Sequence, residues 1–175
     1  LEKFKEVLKL ASGDDEVEMD FDPAGHRLVM KIGNVTRKMS LVDTSGMNDP
    51  KVPKLDLPVK VTIAPGELER GIRAAEAIAD HVALIADKDS FELLAEGDTD
   101  QVHLKLDRSM LANLTATEKS KSLFSLDYFA NMVKAAKGSP GIHLNLGNDY
   151  PVKIEFDLAG GNGHVTYLLA PRIES

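Results

Sequence analysis

Leu126-Asp127-Tyr128-Phe129-Ala130-Asn131-Met132-Val133-Lys134-Ala135-Ala136-Lys137, followed after Gly138 by Ile142-His143-Leu144-Asn145-Leu146, carries two different periods in one short stretch. Leu126, Phe129, Val133 and Ala136 recur at alternating three- and four-residue spacing, which predicts a helix with a single apolar stripe over 126–137. Ile142, Leu144 and Leu146 alternate with polar neighbours, which predicts a strand with one buried face. Helices with one apolar stripe and strands with one apolar face bury each other best as a layer of helices on antiparallel sheet, an α+β architecture.

The same order occurs twice more. The helical pattern Leu68, Ile72, Ala75, Ala79 falls in 66–79, and Leu1, Phe4, Leu8, Ala11 in 1–12. Gly13 and Gly138 follow the first and third helices, where left-handed caps are expected, and Pro65 opens the second. Aligned on Phe4, Leu68 and Phe129, each helix reads apolar, three residues, apolar, basic, any residue, Ala. Three alternating strands follow each one. The expected inward sets of the first are Val17, Met19 and Phe21; Leu28, Met30 and Ile32; Met39 and Leu41. In the second they are Val82, Leu84 and Ala86; Phe91, Leu93 and Ala95; Val102, Leu104 and Leu106. The third has Ile142, Leu144 and Leu146, a run from Val152 to Leu158, and Val165, Tyr167 and Leu169. This is one module, a helix plus three strands, used three times. Additional strands are expected at Val59 to Ile63 and Lys119 to Phe124. Between the first and second copies, 43–58 carries Pro50, Pro53 and Pro58 without periodicity and reads as a connector. The expected organisation is 1–42, the connector 43–58, and 59–175.

Composition narrows the function classes. The 175 residues include no Cys and no Trp, so a disulfide scaffold, a thiolate metal site and a cysteine nucleophile are excluded. The net charge of -7 excludes a uniformly basic nucleic-acid binder but allows a local basic surface. No phosphate loop, nucleophile elbow or paired-His helix occurs, and the five histidines lie on separate elements. Gly160-Gly161-Asn162-Gly163 has no helix after it and reads as a hairpin turn. A hydrolase built on His143, His164 and Asp149 has no further ligand in register, so no catalytic residue, cofactor or metal site is expected. No run is apolar and long enough to cross a bilayer, and no membrane partner is expected.

Lys9, Arg73 and Lys134 occupy the one basic position of the repeated helix, and Lys5, Arg70 and Lys137 add charge nearby. Each lies off the apolar stripe. They form either an ordinary solvated helix face or a surface for a common polyanion, and repetition in an acidic chain favours backbone phosphates bound without base readout.

The run Tyr167-Leu168-Leu169-Ala170-Pro171-Arg172-Ile173-Glu174 resembles the C-terminus of the archaeal sliding-clamp family, proliferating cell nuclear antigen (PCNA). Leu41-Val42-Asp43 opening a Pro-bearing connector, Ala95-Glu96-Gly97-Asp98, Leu123-Phe124-Ser125-Leu126 and Pro151-Val152-Lys153-Ile154-Glu155 add to the resemblance, which covers the whole chain. It implies the DNA-clamp fold, with helices lining a ring and sheets outside. The implied function is a non-catalytic processivity factor that encircles duplex DNA as a homotrimer in the archaeal cytoplasm, at the nucleoid. Partners docking through short peptides would be DNA polymerase, the clamp loader, flap endonuclease and DNA ligase. The alternative is a non-encircling peptide-docking scaffold derived from a clamp. Family domains hold two modules each, so three modules imply that a first module of roughly 60 residues precedes the first helix. The resemblance places the DNA-facing charges at Lys5, Lys9, Arg70, Arg73, Lys134 and Lys137. The partner-peptide pocket falls at Met47, Val52, Pro53, Pro151, Leu168, Ala170 and Pro171, with Leu168 expected on the outward face of its strand. Met47 and Val52 could alternatively serve only to pin the connector to the sheet. Subunit contacts are implied between the strand of Val35, Arg37, Met39 and Leu41 and that of Val102, Leu104 and Leu106.

Overall fold

A computed structural model describes residues 1–47 and 53–173. It divides into two compact units, Leu1–Pro53 and Lys54–Ser175. Helices with one apolar stripe and antiparallel sheets with one apolar face are present in both, as the periodicities require.

The first unit holds α1 (Glu2–Leu8) and an antiparallel sheet in the order β1 (Val17–Asp22), β2 (Arg27–Ile32), β3 (Val35–Ser40). Gly33 turns β2 into β3 at φ 54°, a left-handed conformation that costs a side-chain-bearing residue free energy. The helix is shorter than its pattern predicts, and neither Gly13 nor Gly138 adopts a positive φ. The chain tightens after Leu8, where the Leu10 N–H donates to the Val7 carbonyl, so the buried stripe becomes Phe4, Val7 and Ala11. Leu8, expected inward, is consequently exposed. The small core is Val7, Met30 and Ile32, flanked by half-buried Val17, Leu28 and Met39. Met19 and Phe21, also expected inward, are 55% and 51% exposed. Seven helical residues cannot reach across that end of β1, and no other described element of the unit lies over it.

The second unit is built from two modules that exchange strands. One contains α2 (Pro65–Glu76), β5 (His81–Ala86), β6 (Ser90–Glu96) and β7 (Gln101–Asp107). The other contains α3 (Leu126–Ala135), β10 (Ile142–Leu146), β11 (Val152–Leu158) and β12 (Gly163–Leu169). The strand preceding each helix joins the other module's sheet: β4 (Val59–Ile63) pairs with β10, and β9 (Ser120–Ser125) pairs with β5. Both extra strands are where the alternation predicts them. A short strand that the sequence reading missed, β8 (Asn113–Ala116), extends the β4 edge. The sheet orders are β12-β11-β10-β4-β8 and β7-β6-β5-β9.

One core joins the modules. Phe91, Phe124, Phe129 and Phe156 are fully buried in it with Leu68, Leu84, Leu93, Leu144 and Ile154. The stripes of α2 and α3 face this core, and the two helices pack against each other. Their charged faces are left outside. On the sheets, alternation puts His143, Glu155, Asp157, His164 and Thr166 on the face away from the core. The Ala159–Gly161 turn closes the β11–β12 hairpin with positive φ at Ala159, Gly160 and Gly161, so this glycine-rich run is a turn rather than a phosphate cradle.

Candidate functional site

The basic positions of the repeat divide by surroundings. In the second unit, Arg73 of α2 and Lys134 of α3, residues at the same place in the module, line one groove of about 210 Å3. Lys137 and the carboxylates of Glu69 and Glu76 join them, over a floor of Ile72, Ala130 and Val133. Helix pairing therefore brings together charges that lie 61 residues apart in the chain (134 minus 73). Arg73 Nη2 lies 3.5 Å from Glu69 Oε2, and Arg70 donates to Glu67 one turn away. Among the described residues, Lys134 and Lys137 have no carboxylate within ion-pair distance. In the first unit, Lys5 Nζ lies 3.5 Å from Glu2 Oε1, while Lys9 is exposed just beyond the end of α1.

The residues expected to meet peptides are distributed as follows. Leu168 is half-buried on the outward face of β12, opposite Lys153 of β11, and Pro151 immediately precedes β11. Ala170 and Pro171 line a cavity of about 730 Å3 with Ser125, Leu126, Tyr128 and His81. None of these last four was assigned to the pocket from the sequence. Tyr128 left one signal, an aromatic residue off the apolar stripe of α3, and it is 62% exposed. Beyond Pro171 the Arg172 N–H donates to the Leu123 carbonyl at 2.7 Å, which fastens the C-terminal segment to the edge of β9. Met47 and Pro53 are exposed residues of the first unit, and Val52 lies outside the described residues. Where the connector is expected to begin, the Asp43 carboxylate accepts the Ser45 N–H at 2.9 Å, and that bond holds its pKa below the usual aspartate value.

Both strands expected at a subunit boundary are sheet edges: β3 in the first unit and β7 in the second. Arg37 of β3 lies 3.8 Å from Glu6 of α1. On β7, Val102 and Leu104 are half-buried, whereas Leu106 belongs to the core at 1% exposure, so its contribution to an edge is backbone.

The outer sheet face is polar and internally paired. Burial alone would raise the Glu155 pKa, but hydrogen bonds from Lys153 at 2.8 Å and Asn145 at 3.1 Å outweigh it and hold the group down. His164 Nδ1 lies 2.7 Å from Asp157, and this bond raises the imidazole pKa above 6.5. His143 meets Thr62 instead, at 2.9 Å, and neither histidine is hydrogen-bonded to Asp149. The hydrolase constellation is therefore not assembled.

Comparison with known proteins agrees with this fold. The family model described as proliferating cell nuclear antigen, C-terminal domain, matches residues 51–172. A DNA polymerase sliding clamp of Methanosarcina barkeri is 42% identical over 176 residues, covering 100% of this chain and 71% of the relative. One from Halobacterium salinarum is 38% identical over 178 residues, covering 100% and 72%. Among solved structures, A. fulgidus PCNA with the C-terminal region of FEN-1 bound superposes with a TM-score of 0.91 at 35% identity, over 99% of this chain and 71% of that one. PCNA from Thermococcus kodakaraensis gives 0.86 at 25% identity, over 98% and 71%. Strand-exchanged modules with helices on the core side of antiparallel sheets are thus the DNA-clamp fold. The chain belongs to the proliferating cell nuclear antigen family of sliding clamps.

Proposed function

We propose that this chain acts as a DNA polymerase processivity clamp, closing as a homotrimer around duplex DNA and docking replication and repair enzymes. Polymerase, clamp loader, flap endonuclease and DNA ligase bind it through short peptides. It performs no catalysis and works in the archaeal cytoplasm at the nucleoid. The observation that carries this reading is the convergence of Arg73 and Lys134, one position of a repeated module, on a single groove between α2 and α3. Lys5, Lys9, Arg70 and Lys137 extend that basic helix surface. Phosphates met by isolated Lys and Arg are held without base readout, so the ring stays on by topology and still slides.

In the same reading, residues 1–42 and 59–175 are the two clamp domains and 43–58 the connector. The edge of β3, with Val35, Arg37 and Met39, and Leu41 just beyond the end of that strand, meets β7 of the next copy. Exposed strand edges pair readily, and a head-to-tail contact closes into a ring when its rotation fits. Pro151, Leu168, Ala170 and Pro171 receive the partner peptide with Met47, Val52 and Pro53. The exposed apolar character of Met47 and the outward placement of Leu168 support this. Reversing Lys9, Arg73 and Lys134 together to Glu in the full-length chain tests the function. The expected result is a folded protein that no longer stimulates processive synthesis on a primed template; unchanged processivity would overturn the reading.

A further inference from the structure

The two helices that line the α2–α3 groove present their cations differently. On α2 both arginines are paired within the helix, Arg70 with Glu67 and Arg73 with Glu69. The carboxylates are the more sheltered members, with side-chain exposures of 33% and 20% against 69% and 73% for the arginines. Each pair therefore sits with its negative end against the helix and its guanidinium outward. Lys134 on α3 and Lys137 in the turn just beyond its end carry no such partner among the described residues. A phosphate approaching α3 meets full charges. One approaching α2 meets dipoles, whose attraction falls off faster with distance and is screened further by salt.

We propose that Glu67 and Glu69 are attenuating residues: they hold the α2 arginines in ion pairs and so keep this helix from gripping the phosphodiester backbone of duplex DNA, leaving Lys134 and Lys137 as the standing contacts. The inference rests on the clamp reading above. It accounts for why a face that must slide carries carboxylates beside its arginines. An exposed i,i+3 or i,i+4 pair contributes little to stability, so a structural purpose for two of them is weak. Their electrostatic effect on an approaching polyanion does not depend on that stability.

Glu69→Gln, Arg73→Gln, the double variant and Lys134→Gln in the full-length chain test the proposal. The readout is binding to a fluorescein-labelled linear duplex, by anisotropy, from 50 to 200 mM KCl. Releasing one arginine per subunit should add about one phosphate neutralisation for each subunit that meets the duplex, steepening the slope of log K against log[salt] by about 0.9 for each. Between those salt concentrations Glu69→Gln should therefore lose at least about threefold more affinity than wild type, about threefold for each contacting subunit. The effect should vanish in the Arg73→Gln background, because the carboxylate acts through that guanidinium. An equal effect of Glu69→Gln with and without Arg73 would overturn the proposal in favour of simple loss of negative charge. Wild-type binding by Glu69→Gln, with weakened binding by Arg73→Gln and Lys134→Gln, overturns the attenuation and leaves the clamp reading standing. Wild-type binding by all of these variants overturns both.

Discussion

Aligned strands of the two units have opposite fates. Met19 and Phe21 on β1 are 55% and 51% exposed, whereas Leu84 and Ala86 on β5, and Leu144 and Leu146 on β10, are at most 1% exposed. The local patterns are alike, so propensity does not separate them. In the second unit each of these strands is flanked by one lent from the other module, β9 beside β5 and β4 beside β10, and two paired helices close over both. Within the first unit the outer edge of β1 has no partner among the described residues, and one seven-residue helix covers only the middle of the sheet. A module of this type buries its apolar face only when a second one completes it, as in other repeat architectures.

The largest expected effect breaks the better-built side of this comparison. Phe129→Ala removes a fully buried ring from the shared core and should cost about 3–5 kcal/mol, while Phe21→Ala should cost under about 1 kcal/mol. Urea titration of each variant measures both, and equal losses would show that β1 is covered. Next comes Leu168→Ala on the outward face of β12. It should weaken binding of a polymerase C-terminal peptide by about 1–3 kcal/mol in calorimetry while leaving the assembly's mass unchanged; wild-type affinity would remove Leu168 from the docking surface.

Two glycines sharpen the contrast at a smaller scale. A Cβ at Gly71 would come 2.8 Å from Leu104 Cδ2, where α2 crosses β7. Gly71→Val should cost about 1–3 kcal/mol by overpacking. Nothing crowds Gly33, whose φ of 54° is the only constraint, so Gly33→Ala should cost about 1–2 kcal/mol and Gly33→Asn less. Comparable losses for the Ala and Asn variants would argue against a backbone cause.

The smallest effect is a pH dependence confined to the second unit. The Asp157 hydrogen bond raises the His164 pKa in the folded state, so the protonated pair stabilises fully below pH 6.5. That contribution should fade as pH rises through the raised value. Thermal melts of wild type and Asp157→Asn across this window should converge at high pH and separate at low pH; parallel curves would mean the pair contributes nothing.

Much of this was legible in the residues. Leu68, Ile72 and Ala75, like Phe129, Val133 and Ala136, reach the core because helical period alone decides which face is apolar. The strands from Val82 to Leu169, the short β8 apart, follow from period two in the same way. The C-terminal run and the connector motif carried the family. Glu67 and Arg70, or Glu69 and Arg73, stand at spacings that permit a pair on any helix. Other features depended on contacts between residues far apart in sequence, which periodicity does not encode. Strand exchange between the modules is one, because a strand's alternation specifies its faces and not its neighbour. The early end of α1, with the exposure of Leu8, Met19 and Phe21, is another, since burial requires a covering element as well as an apolar side chain. Convergence of Arg73 with Lys134 on one groove likewise needed two helices to pack side by side, and packing is decided by the tertiary structure.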